Sequence, residues 1–396
     1  MSDRDPMDHR SANGHDPIEV AEAPFDVPGP GARGQEGPTL FDAPDGETDL
    51  EDPTPVAKEA RRGTAKTLLQ LLSTCTCDGA HQLEGVPLWW MAVRPCVFPM
   101  TAISVLIGIL LAATAGPFGL VEVGLAFAVL LGAVLAHAGN NLLNDYIDVR
   151  QGIDRAGYFR TEYAPHPILS GQLSARQVLV GAAVVHLLDL GILLLLVRLR
   201  GLGVAWFALA GLFLSIAYVA PPLSFKKRGL GELTAAVVWG PLMIVGAYFT
   251  VRGDAPPAAW LASLPYGLLV GAVLVGKHLD KLPQDAEKGV GTLPVRLGAV
   301  RSRDLTVKLA HLFLICVGVL VLTHATGPWV LLTLLALPRL RLLTVAYANE
   351  KPDAPPAGYP VWPLWYVAFA MSFTRTAGGF FVLGLILNAL LPATLG

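Results

Sequence analysis

An all-α protein threaded about nine times through a lipid bilayer is the architecture this sequence predicts. Three observations carry that expectation. Of 396 residues, 53% are hydrophobic and 15% charged, with a mean hydropathy of +0.52, a balance that assigns most of the chain to hydrocarbon rather than water. Apolar stretches long enough to cross a ~30 Å bilayer core recur nine times. Lys and Arg crowd alternate connections between those stretches, as the positive-inside rule demands.

Residues 1–64 come first and are expected to form a disordered acidic tail, with 65–396 as the membrane-embedded domain. The first 60 residues hold fifteen Asp/Glu against four Lys/Arg. Pro and Gly interrupt them, and no apolar periodicity is present to offset the entropy of ordering. The segment has neither the basic start nor the apolar core of a signal peptide. Thr67 to Leu72 reads as a short surface helix, and Trp89 and Trp90 suit the interfacial aromatic belt. Cys75 and Cys77 make a lone CxC pair, with Cys96 and Cys316 in apolar sequence. That spacing matches neither a zinc site nor a disulfide framework.

The spanning segments are expected near 95–115, 119–147, 175–198, 203–220, 232–251, 258–279, 305–323, 327–346 and 376–394. Even-numbered connections carry Arg150, Arg155, Arg160, Arg176, then Lys226, Lys227, Arg228, then Lys281, Lys288, Arg296, Arg301, Arg303, then Lys351. Odd ones carry Arg198, Arg200 and Arg252. The amino terminus and the even connections are therefore expected to face the cytoplasm. Pro167, Gly171 and Arg176 recur as Pro294, Gly298 and Arg303, each triplet after an acidic cluster and before an apolar segment. This predicts two repeated halves.

Chemistry concentrates at the end of the second segment. On one continuing helix His137, Asn141, Asn144, Asp145 and Asp148 share a face. A charged side chain in a membrane helix costs at least ~2.5 kcal/mol at the bilayer centre, and such residues usually face a cavity and mark function. Two amides and two carboxylates on one face suit Mg²⁺, which takes oxygen ligands and often bridges carboxylates to substrate phosphates. In the other half, GKHLDKLPQDAEKGVGTLPVRLG places Lys277, Asp280 and Lys281 on one face. A helix break near Leu282, ahead of Pro283, would let Asp285 reach back from the loop.

Asn144, Asp145 and Asp148, with Gly152 and Asp154, resemble the first aspartate-rich motif of the UbiA superfamily of intramembrane prenyltransferases, in the spelling of its menaquinone branch. Asp285, Gly289, Thr292 and Leu293 resemble the second motif, with Lys281 where its first Asp is expected and Asp280 one residue early. Arg94–Pro95, the Tyr218–Glu232 loop and His166–Gly171 add support, His166 standing where many relatives have Arg. The resemblance implies two four-helix halves plus a ninth helix and transfer of a polyprenyl group from its diphosphate to a small aromatic acceptor. It implies Asp145, Asp148, Asp280 and Asp285 as metal and catalytic residues. Asn141, Asn144, Asp154, Arg155, Arg160, Lys277, Lys281 and Arg375 are the expected substrate contacts.

Mg²⁺ is the expected cofactor, an inner (plasma) membrane with a cytoplasm-facing site the expected location, and no nucleic-acid partner is expected. Acceptor identity, prenyl length and oligomeric state stay open. A terpene cyclase or lipid ether prenyltransferase of the same fold is the nearest alternative. A cation- or proton-coupled transporter would also place Asp and Lys on membrane helices, but leaves unexplained why acids pair with Lys at both helix ends.

Overall fold

The computed structural model describes residues 63–391, so the tail expected over 1–64 lies, apart from its last two residues, outside the described residues. Thr64 starts α1 (Ala65–Thr74) by accepting from the Thr67 amide, the usual service of an N-cap hydroxyl. α2 (Gly85–Ala92) folds back against it, and the Trp90 indole donates to the Leu68 carbonyl at 3.2 Å. Between these lies a correction to the cysteine reading: Cys75 and Cys96 form a disulfide. It ties the end of α1 to the entrance of the first membrane span.

The remaining helices follow in order. They are α3 (Phe98–Thr114), α4 (Leu120–Arg150), α5 (Phe159–Tyr163), α6 (Ala175–Arg200), α7 (Gly203–Val219), α8 (Gly231–Arg252), α9 (Pro257–Asp280), α10 (Leu282–Glu287), α11 (Leu293–Leu297), α12 (Ala299–Leu322), α13 (Leu337–Ala348) and α14 (Tyr366–Leu390). A 3₁₀ stretch, Pro328–Ala336, runs into α13. Among the described residues there is no strand, and eight helices are long and apolar enough to cross a membrane. α7, with 17 residues, supplies a ninth apolar helix. The protein is an integral membrane protein.

Two boundaries differ from the sequence expectation. α14 begins at Tyr366 rather than 376, because Arg375 lies within the helix instead of heading it. The break between α9 and α10 falls at Lys281 (φ −116°, ψ 17°), with Pro283 in the first turn of α10. The repeat is visible in the backbone: Gly171 (φ 75°) and Gly298 (φ 80°) both turn the chain through left-handed conformations just before α6 and α12. Glycine adopts these without a Cβ clash.

Most of the core lies among α3, α8, α9, α12, α13 and α14, where Tyr266, Phe313, Phe373 and Phe381 are fully or almost fully buried. Helices approach closely there. A Cβ on Gly108 of α3 would lie 2.2 Å from the Ile244 carbonyl of α8, the small-residue packing that membrane helices favour. α6, by contrast, buries only Val178, Ala182 and Leu196. Between the dense half and the looser wall of α4, α6 and α7 runs a cavity of about 1130 Å³. Leu187, Leu190, Leu209 and Leu212 border it while remaining 46–66% exposed. The chamber is therefore open on its lipid side.

Candidate active site

The polar stripe of α4 forms one end of this cavity, lined there by His137, Asn140, Asn141 and Asn144. Helical spacing alone put these groups on one face, and the cavity is what they face. Trp239 donates its indole N–H to the Thr101 hydroxyl at 3.0 Å, and Thr101 lies 2.7 Å from His137 Nδ1. With one proton and two lone pairs, the Thr101 hydroxyl accepts from the indole and can pair with Nδ1 in either tautomer of His137. Asn141 is spent on architecture, donating to the Val93 carbonyl at 2.8 Å.

Asp145 is fully buried and surrounded by donors. Arg94 pairs with its Oδ1, Arg160 Nη2 lies 3.6 Å from Oδ2, and His166 Nε2 lies 3.8 Å from Oδ1. Arg94 reaches it from a left-handed backbone (φ 58°, ψ 63°), the kind of strained conformation that clusters at functional sites. Asp148 pairs with Lys226 at 3.1 Å.

His166 bridges the cluster. Its Nδ1 accepts from the Ile168 and Leu169 amides, so its proton sits on Nε2, 3.4 Å from Asp154 Oδ2. Burial alone would raise the Asp154 carboxyl. The His166 hydrogen bond and the charges of Lys226 and Arg94 outweigh it and hold the group down at about 2. Asp145, Asp154 and His166 offer potential metal ligands within 4.8 Å of one another, but a protonated Nε2 is a donor rather than a ligand. The carboxylates fit a hard cation better: Asp145 Oδ2 is buried without a hydrogen-bond partner, and carboxylate oxygen is the ligand Mg²⁺ takes.

The second cluster is arranged differently from the sequence expectation. Asp280 does not join the carboxylates. Its two oxygens accept from the Trp365, Tyr366 and Val367 amides at 3.1, 2.9 and 3.0 Å. It caps the start of α14, where orphan amides and the helix dipole both favour a carboxylate. Both Asp280 oxygens are thereby engaged by α14 backbone, whereas the expectation grouped Asp280 with the metal-binding carboxylates. Lys281, in the next position, lies 3.2 Å from both Asp285 Oδ1 and the Tyr158 hydroxyl. Burial, then the nearby Lys226 charge, lowers its ammonium pKa.

Asp285 also accepts from Tyr158 at 2.8 Å. Gln284 accepts from the Phe159 amide and donates to Glu162, and Lys288 lies 3.7 Å from the Tyr158 ring centroid. Two cytoplasm-expected connections, one from each repeat half, are thereby clasped together.

Of the other expected contacts, Lys277, Asn144 and Arg160 border the cavity, as does Arg375 from α14. Arg155 sits exposed in the connecting loop. Sequence reasoning missed Tyr158, which carried no signal beyond being an aromatic in a polar loop. It also treated Lys226 as one of three interchangeable topology charges.

Comparison with known proteins identifies the family. A model of the UbiA prenyltransferase family matches residues 101–359. The 1,4-dihydroxy-2-naphthoate octaprenyltransferase of Escherichia coli K12 is 28% identical over 265 residues, covering 66% of this chain and 84% of that protein. Its Mycobacterium tuberculosis counterpart is 31% identical over 260 residues, covering 63% and 82%. The 2-carboxy-1,4-naphthoquinone phytyltransferase of Synechocystis is 26% identical, covering 68% and 84%. A solved structure described as digeranylgeranylglyceryl phosphate synthase superposes with a TM-score of 0.52 at 16% identity, covering 76% of this chain and 97% of its own, and shares the fold. With the family model spanning well over half of its length, this chain belongs to the UbiA prenyltransferase family.

Proposed function

We propose that residues 65–396 transfer a polyprenyl group from its diphosphate to a small aromatic acceptor, in an inner membrane with the polar site toward the cytoplasm. The observation that carries this reading is a chamber of about 1130 Å³ whose walls are largely apolar and whose polar end, lined by Arg94, Asn144, Arg160 and Lys277, adjoins the buried Asp145 that pairs with Arg94 and Arg160. An amphiphile with a long hydrocarbon tail and a charged head fits both parts. The matched bacterial relatives are named for a naphthoate acceptor, which makes a bicyclic aromatic ring the first candidate here.

Asp145, Asp148 and Asp154 would hold Mg²⁺, and Asp285 presents one further buried oxygen without a hydrogen-bond partner. Bound there, the ion would stabilise negative charge on the departing diphosphate. Lys277, which borders the cavity, contacts phosphate oxygen, helped by Arg160 and by Lys281, which has three donors and two placed partners. The apolar walls keep water from the allylic cation as the C1–O bond breaks and its electron pair leaves with diphosphate. An electron-rich ring carbon then bonds to C1, and loss of the ring proton restores aromaticity. His137, its ring held by Thr101, lines the chamber where the acceptor would lie.

The test is purified protein in lipid nanodiscs, given labelled polyprenyl diphosphate with and without 1,4-dihydroxy-2-naphthoate, in Mg²⁺ or EDTA. Prenylated acceptor and pyrophosphate should appear together, only with both Mg²⁺ and acceptor. Pyrophosphate released at full rate without acceptor would favour a cyclase, and no pyrophosphate under any condition would end the transferase reading.

A further inference from the structure

Arg375 occupies a position that the diphosphate chemistry does not explain. It sits on a membrane-spanning helix and borders the cavity, on a stripe of α14 that also presents Met371, Ser372 and Thr376. Its guanidinium donates to the Cys96 carbonyl. Among the described residues no carboxylate lies within ion-pair distance of it. Its Nε is buried and has no hydrogen-bond partner. The titratable group beside it is the Tyr266 hydroxyl, also buried without a partner.

The contrast with the cluster is chemical. Arg94, Lys226 and Lys281 each have a carboxylate within the protein. An intramembrane cation normally pairs with an anion or with several carbonyls. Leaving one buried and uncompensated is strongly destabilising. Arg375 has one carbonyl and a cavity, so its missing counter-charge comes from whatever enters the cavity. The guanidinium fork matches carboxylate geometry with two parallel hydrogen bonds. Met100 and Met371 line the same chamber, and thioethers make favourable contacts with aromatic rings.

We propose that Arg375 anchors the carboxylate of an anionic aromatic acceptor and selects such acceptors over neutral ones. This rests on the aromatic-acceptor reading above and deepens it. The diphosphate keeps the cluster of Arg160, Lys277 and Lys281, and the acceptor's anion keeps Arg375. Two anions thus enter one apolar chamber, each with its own cation.

The experiment compares wild type, Arg375→Gln and Arg375→Lys with two acceptors, 1,4-dihydroxy-2-naphthoate and the same ring without its carboxylate, 1,4-dihydroxynaphthalene. KM is measured for each acceptor and for the prenyl diphosphate. Losing a charge-assisted hydrogen bond should raise the variant's KM for the naphthoate by about ten- to a hundredfold. The KM values for the neutral ring and for the diphosphate should stay near wild type. Arg375→Lys should recover part of the preference, as a point charge without the fork. A rise in the diphosphate KM with the acceptor preference intact would overturn the assignment in favour of phosphate. An equal loss with both acceptors, or poorer melting of Arg375→Gln in detergent, would make the residue structural. Wild-type transfer to neither ring would refute the aromatic-acceptor reading, and this inference with it.

Discussion

Replacing Asp280 tests the architecture of the site most directly, because geometry and sequence motif make opposite predictions for it. The carboxylate is 6% exposed and accepts from three backbone amides at the start of α14. Asp280→Ala leaves those three donors without their acceptor. A typical exposed cap is worth ~1 kcal/mol, and each buried donor left unsatisfied costs about 1–3 kcal/mol. Partial fraying and water entry reduce the sum, so a loss of about 2–4 kcal/mol is expected on those two scales. Asp280→Asn keeps one oxygen acceptor but turns an amide NH₂ toward N–H groups, and should fall about halfway.

The assay pairs thermal unfolding in detergent with Mn²⁺ binding followed by electron paramagnetic resonance. Apparent Tm should drop by several degrees in Asp280→Ala and less in Asp280→Asn, while Mn²⁺ affinity is unchanged in any protein that remains folded. If Asp280→Asn melts like wild type yet loses Mn²⁺, the cap argument is wrong and Asp280 belongs with the metal ligands.

Three further outcomes follow from the same geometry. Asp148→Asn should abolish turnover in protein that still inserts and melts normally, and product mass spectrometry showing wild-type yield would remove Asp148 from the site. Tyr158→Phe deletes the hydroxyl shared by Asp285 and Lys281, and should lower kcat/KM by about tenfold on the scale of a hydrogen bond to charged groups. Unchanged kinetics would show the clasp to be incidental. Cys75→Ser opens a loop of 21-residue separation and should cost about 3 kcal/mol by the loop-closure relation. Reductant should then shift the melting of wild type but not of the variant.

The hydrophobic pattern was enough to find every spanning helix, because a bilayer imposes length and apolarity locally. The α4 face was equally legible, since one helical period decides which side chains share a side. What escaped depends on contacts across the fold. Asp280 reads as a motif acid until α14 is placed with its first amides against it. Arg375 reads as the head of a helix because a lone Arg in hydrocarbon is costly, and only the cavity explains why the helix continues through it. Tyr158 belongs to a loop whose partner lies 127 residues away at Asp285. The Cys75–Cys96 bond depends on α1 folding back to the membrane entrance, which the spacing of four cysteines does not reveal.

The side opening between α6 and α7 has a consequence for substrate choice. Leu187, Leu190, Leu209 and Leu212 bound the chamber without closing it, so the far reach of the proposed prenyl tail would rest among lipid chains rather than protein. A chamber without an end wall cannot serve as a ruler. On the proposed reading, the enzyme would read the charged head and the first isoprene units and leave the rest to the bilayer. Tail length in the product would then follow whichever diphosphates the cell supplies. Offered an equal mixture of tail lengths above the first few units, the protein should return products in nearly the proportions given. A sharp cutoff at one length would mean that the gap closes when the tail is in place.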